Sequence, residues 1–137
     1  MTDHLALTLR STQADVERLG QEFDRFAEQH ALSPQAYYAM NLALEEIVMN
    51  VVSHGYQDGD DRLITVEVAI TPGEVTARVE DEAPAFDPLQ VPDPDTTAPL
   101  EQRHPGGLGI HLSKRMLDGL QYSRVDGKNR IDMYKRF

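Results

Sequence analysis

The stretch LALEEIVMNVVSHGY, residues 42–56, decides the fold. Apolar Met40, Leu44, Ile47 and Val51 recur at the 3.6-residue period, so it reads as the second half of a helix with one buried stripe. Glu46 and Asn50 stand one helical turn apart and stack on one face, off that stripe. A carboxylate and a carboxamide so placed can hold a hydrated hard cation completed by water and phosphate, and still leave the glutamate free as a base. Taken alone, the pair reads equally as a solvated polar face. Gly55 reads as the helix stop, a residue that tolerates the left-handed conformation.

Upstream, Ser33 and Pro34 mark the start of this helix, as N-cap and first-turn proline. Before them, Ser11 or Thr12 caps an earlier helix that carries Val16, Leu19, Phe23, Phe26 and Ala27 on one face. Leu5, Leu7 and Leu9 alternate as a short first strand. Downstream, residues 62–71 alternate with Ile64, Val66, Val68 and Ile70 on one side, Pro72-Gly73 turns the chain, and Val75, Ala77 and Val79 continue the alternation. Asp81 falls on that same apolar face at the strand's end. An inward carboxylate is costly unless a donor meets it. That donor is a buried protein group or a ligand group such as the exocyclic amine of adenine; a simple turn cap is the other reading.

Regular patterning stops over residues 82–107, which hold six of the eight prolines. A loop so long inside a small domain reads as a functional lid, semi-rigid through its prolines, with an internal disordered loop as the alternative. Pro105-Gly106-Gly107-Leu108-Gly109 ends it and opens a helix over residues 110–118, closed by Gly119. Glycines ahead of a helix let the backbone approach an anion, whose charge the helix N-terminus favours. Residues 121–125 and 130–137 form a last hairpin around Asp126-Gly127-Lys128-Asn129.

The formal charge of −10, 23 acids against 13 bases, argues against a nucleic-acid backbone as partner but not against a nucleotide met by Mg²⁺ and backbone N–H groups. With no cysteine there are no disulfides or thiolate metal sites. No apolar run approaches the roughly 18 residues that span a bilayer, and Met1-Thr2-Asp3-His4 lacks the order of a signal peptide. No membrane partner and a cytoplasmic location are the expectations.

Four features stand in a fixed order: Glu46 and Asn50 on a helix, an inward Asp81 at a strand end, a proline-rich lid, and glycines opening a helix. That order resembles the GHKL ATPase superfamily of gyrase B, histidine kinases and MutL. The short chain looks like the anti-sigma-factor serine-protein kinases of the RsbW and SpoIIAB type. The resemblance implies an α+β fold, a Bergerat-type two-layer α/β sandwich whose mixed, mostly antiparallel sheet is covered on one face by helices. It implies one ATPase domain over residues 1–137 with an ATP lid at about 82–107.

Position by position, Glu46-Ile47-Val48-Met49-Asn50 matches the Glu-x-x-x-Asn motif. Glu46 then takes the proton of the substrate hydroxyl, and Asn50 binds Mg²⁺. Asp81 matches the aspartate that accepts from adenine. Gly106, Gly107 and Gly109, with Leu108 among them, match the glycine box that closes on the phosphates. Arg103 is placed as the cation for the terminal phosphate. One departure is Ala83, which stands where the first glycine box has glycine. The implied activity is an ATP- and Mg²⁺-dependent serine/threonine-protein kinase acting on a STAS-domain anti-anti-sigma protein. The resemblance also implies binding of a sigma factor in a partner-switching cycle, and a homodimer. An ATP/ADP-binding regulatory module with weak or lost kinase activity is the second reading, and Ala83 favours it.

Overall fold

The computed structural model describes residues 3–55, 62–90 and 105–137. It is a two-layer α+β fold. Strands β1 (Asp3–Arg10), β2 (Leu63–Thr71), β3 (Glu74–Asp81), β4 (Gly119–Val125) and β5 (Lys128–Arg136) form one sheet in the order β1-β2-β3-β5-β4. Every pairing among the described residues is antiparallel. Helices α1 (Gln13–Gln29), α2 (Pro34–Asn50) and α3 (Pro105–Met116) supply the other layer.

Alternation along the strands explains the layering. Leu9, Ile64, Val66, Val68, Val75, Val79, Ile131 and Met133 point to one face and are buried with Phe23, Met40, Leu44 and Val48 of the helices. Each such aliphatic side chain withdrawn from water contributes roughly 1.5–3 kcal/mol. The opposite face keeps its polar residues, among them an Arg78–Asp132 pair at 2.7 Å and an Arg130–Glu80 pair at 3.1 Å.

Local chemistry sets the helix ends. Thr12 caps α1 by accepting from the Asp15 amide at 3.2 Å, and Ser33 caps α2 by accepting from the Ala36 amide at 3.3 Å. Helix α1 ends in a Schellman arrangement: the Leu32 amide reaches the Ala27 carbonyl at 3.0 Å and the Ala31 amide reaches Glu28 at 3.3 Å. Ala31 takes the left-handed conformation there, with φ 51°.

Four boundaries differ from expectation. Helix α2 keeps α geometry only to Asn50 and continues as a π turn over Val51–Gly55. Gly55 is not left-handed: the glycines with positive φ among the described residues are Gly73 and Gly127. Helix α3 starts at Pro105, so the backbone of Gly106, Gly107, Leu108 and Gly109 is helical rather than a loop ahead of the helix, and Gly119 opens β4 instead of closing α3. Proline is well suited to that first helical position. Finally, Asp126 (φ 52°) and Gly127 (φ 79°) make a two-residue turn of the I′ kind. Strand β5 therefore begins at Lys128, and Asn129 belongs to the ladder rather than to the turn.

Candidate functional site

Asp81 ends β3 in register with Asn129 of β5, and both side chains are buried. Asp81 Oδ1 accepts from Asn129 Nδ2 and from the Ala83 amide, each at 2.9 Å. Among the described residues, both of these bonds fall on one oxygen, which leaves the other carboxylate oxygen for a further donor. Asn129 uses its whole amide. Nδ2 also donates to the carbonyls of Ala83 (3.2 Å) and Pro84 (3.1 Å), while Oδ1 accepts from Tyr122 Oη (2.6 Å), Arg124 (3.1 Å) and the Phe86 amide (3.2 Å). Arg124 holds the Ala83 carbonyl as well, at 2.9 Å. The segment leaving β3 is thus fastened to the β4–β5 hairpin by paired polar groups.

Asp81, Asn129 and the segment from Ala83 to Phe86 border a cavity of about 310 Å³. Asp81, Ala83, Phe86 and Asn129 line it from the sheet side, and Asn50, His54 and Gly55 line it from the end of α2 and the π turn. Ile47, Val51 and Ile131 supply apolar wall. An apolar slot with a few convergent polar groups is the usual form of a small-molecule site. A larger groove, about 690 Å³, lies on the uncovered sheet face and includes the ion-paired Arg78 and Asp132. None of the sequence-predicted site residues borders it, so the smaller cavity is the better candidate.

Glu46 sits one turn before Asn50 and is half-buried, with exposed Glu45 beside it. Burial pushes its carboxyl above the ordinary carboxylate range, and the Glu45 charge adds to that. Its carboxylate lies against the backbone of Gly109, where a Cβ would overlap Glu46 Cδ and both oxygens. Within α3, fully buried Ser113 donates from Oγ to the Gly109 carbonyl at 2.8 Å. Lys114 ties the same helix to the Leu89 carbonyl at 3.0 Å.

The structure therefore brings Asn50, Asp81 and Ala83 to one cavity, and sets Glu46 beside it against α3. Gly106, Gly107 and Leu108 lie in the first turn of α3. Arg103 and the lid residues 91–104 lie outside the described residues. The sequence reading missed Asn129, Phe86, Arg124 and the cavity role of Gly55. Asn129 was within reach of it: starting β5 at Lys128 puts Asn129 on the parity of buried Ile131 and Met133.

An adenine nucleotide suits this donor set. The cavity admits a base, Asp81 offers an acceptor to an exocyclic amine, and the first turn of α3 offers phosphates backbone N–H groups that have no partner within the helix. No cluster of three or more His, Asp or Glu that could hold a metal occurs among the described residues. A magnesium ion here would rest on Asn50, water and phosphate, the sparse oxygen shell that this ion accepts. Among the described residues, no helix is long and apolar enough to cross a membrane.

Residues 9–135 match the family profile described as histidine kinase-like ATPase domain. The chain is 29% identical over 132 residues to the serine/threonine-protein kinase BtrW of Bordetella bronchiseptica, covering 96% of this chain and 92% of that one. It is 31% identical over 100 residues to an anti-sigma F factor of Clostridium botulinum, covering 69% and 67%. Among solved structures it resembles the RsbU and RsbW domains of a Mycobacterium tuberculosis protein, with a TM-score of 0.70 at 18% identity over 98% of this chain and 32% of that one, a likeness of fold.

Proposed function

Because the chain belongs to the histidine kinase-like ATPase domain family, we propose that it is a protein kinase that moves the γ-phosphoryl of ATP to a serine or threonine. The acceptor we assign is a STAS-domain anti-anti-sigma protein. The same chain, as a cytoplasmic homodimer, would sequester a sigma factor when that antagonist is not engaged. The similarity to a named serine/threonine-protein kinase and to a named anti-sigma factor supports both halves of the reading.

The observation that carries it is the meeting of Asp81 and Asn50 in one cavity, with Glu46 one turn away. Asp81 accepts from the adenine amine, and Asn129 and the Ala83 amide keep its carboxylate aimed. Phe86, half exposed beside the cavity, offers a ring face to the base. Asn50 would hold Mg²⁺, and the ion would supply charge neutralisation at the phosphoryl group. Glu46 takes the proton of the acceptor hydroxyl; its raised affinity for protons suits that task. Gly106 and Gly107 present backbone N–H groups to the phosphates, and Arg103 adds a cation at the terminal one.

The test is titration calorimetry with Mg-ADP and Mg-ATP, then γ-labelled ATP with purified STAS-domain proteins of the source organism. Label on a serine or threonine supports the kinase. Tight nucleotide binding without label supports a regulatory module instead, the reading that Ala83 favours. Absence of nucleotide binding sinks both.

A further inference from the structure

Helices α2 and α3 meet where Glu46 faces Gly109. Glycine is a poor helix former, and Gly109 lies inside α3, buried, without the positive φ that would call for it. The atoms nearest to a side chain placed there are Glu46 Cδ, Oε1 and Oε2, all closer than any real Cβ contact allows. The Gly109 carbonyl is further engaged within α3 by the buried Ser113 hydroxyl at 2.8 Å.

We propose that Gly109 is a positioning residue for Glu46: its bare backbone fixes where the carboxylate stands, and glycine is required there by the base rather than by the phosphates. This rests on the reading of Glu46 as the base, and it separates Gly109 from Gly106 and Gly107 of the same glycine box. A reacting group held within a fraction of an ångström matters because misplacement by about 1 Å can cost a hundredfold in rate.

Three variants test it: Gly109→Ala, Glu46→Ala and the double variant, compared by thermal unfolding. With Glu46 present, the methyl of Gly109→Ala pushes aside the carboxylate end of a flexible side chain, so Tm falls only slightly, by about 1–2 °C. In the Glu46→Ala background the same change leaves Tm unchanged or raises it, since the methyl enters vacated space and alanine favours the helix. An equal loss in both backgrounds overturns the proposal. If Gly109→Ala does not fold, the double variant is expected to, and its failure to fold counts against the contact. In a second arm, Gly109→Ala keeps the Kd for Mg-ADP within about twofold while transfer from γ-labelled ATP falls at least about tenfold. Adding Glu46→Asp, whose shorter side chain clears the methyl, restores part of that transfer. A parallel loss of ADP affinity would return Gly109 to the phosphate site and overturn the assignment. Should the unaltered protein transfer phosphate to no acceptor, the kinase reading fails, while the thermal comparison still judges the contact.

Discussion

Gly55 and Ala83 face each other so closely that a Cβ on Gly55 would stand 3.2 Å from the Cβ of Ala83 and 3.3 Å from Cγ1 of Val51. Ala83, which the sequence reading matches to the glycine place of a first glycine box, carries a buried methyl. The room for that methyl comes from the missing side chain of Gly55, which the π turn Val51–Gly55 delivers to the cavity wall.

Gly55→Ala should then overpack the wall, at about 1–3 kcal/mol of stability, and weaken Mg-ADP binding about tenfold, the equivalent of 1.4 kcal/mol. Adding Ala83→Gly should recover most of both losses. Thermal unfolding and calorimetry on the two single variants and the double variant check this; additive losses would mean that the residues do not share the space.

Asp81→Asn should keep the fold, because the amide oxygen can still accept from Asn129 and the Ala83 amide. It puts an N–H group where a ligand amine seeks an acceptor. ADP affinity should fall tenfold or more, since an unmatched buried polar group costs about 1–3 kcal/mol. Inosine diphosphate, which carries a carbonyl in place of the amine, should gain relative to ADP. Competition between the two nucleotides reads this out.

Much of the fold was legible because each signal was local and periodic. The strand alternation placed Val66, Val79 and Asp81 on their faces, and the caps at Thr12 and Ser33 are those that the sequence marks. Asn129 was lost to a miscount of turn length: with Asp126 and Gly127 both at positive φ, the turn needs only those two residues, and the ladder takes Asn129. Contacts between distant segments, such as Gly55 with Ala83 or Glu46 with Gly109, leave no periodic trace. A glycine reads as a turn or a stop until its neighbour in space is known. The end of α1 was hidden for the converse reason, since alanine rather than glycine occupies its left-handed position.

That last exception yields a stability prediction. Ala31 sits at φ 51° with both Schellman hydrogen bonds formed, so its Cβ is the source of the strain. Ala31→Gly should stabilise the chain by about 1 kcal/mol, somewhat reduced by the greater freedom of glycine in the unfolded chain. Urea unfolding should show a higher midpoint at an unchanged slope.

Asn129→Leu removes the donor from Asp81 Oδ1 and from the carbonyls of Ala83 and Pro84. Leaving buried acceptors unmet should cost about 2–3 kcal/mol and abolish nucleotide binding. Asn129→Asp tests the same link through charge. Two carboxylates then face each other, so the loss of stability should be larger at pH 7 than at pH 4, where protonation relieves the repulsion.

Glu46 brings activity and stability into opposition. Burial first, and Glu45 second, raise its carboxyl, so the neutral form is the one the fold favours. The transfer rate should fall on the acid side at a pH above the ordinary carboxylate range, because the base must be ionised to act. Glu45→Gln should move that limb down without returning it to the ordinary value, since burial remains. Stability runs the other way: a group whose folded pKa is raised gives its full contribution below the unfolded value of about 4.3 and loses it as pH rises through the folded one. Glu46→Gln, which stays neutral, should therefore gain on the unaltered protein in Tm at pH 7 but not at pH 4. It should bind Mg-ADP nearly as before and lose transfer by about a hundredfold or more. A Glu46→Gln variant that transferred phosphate at the original rate would remove Glu46 from the role of base, and equal Tm differences at the two pH values would mean that its charge is not burdened by burial.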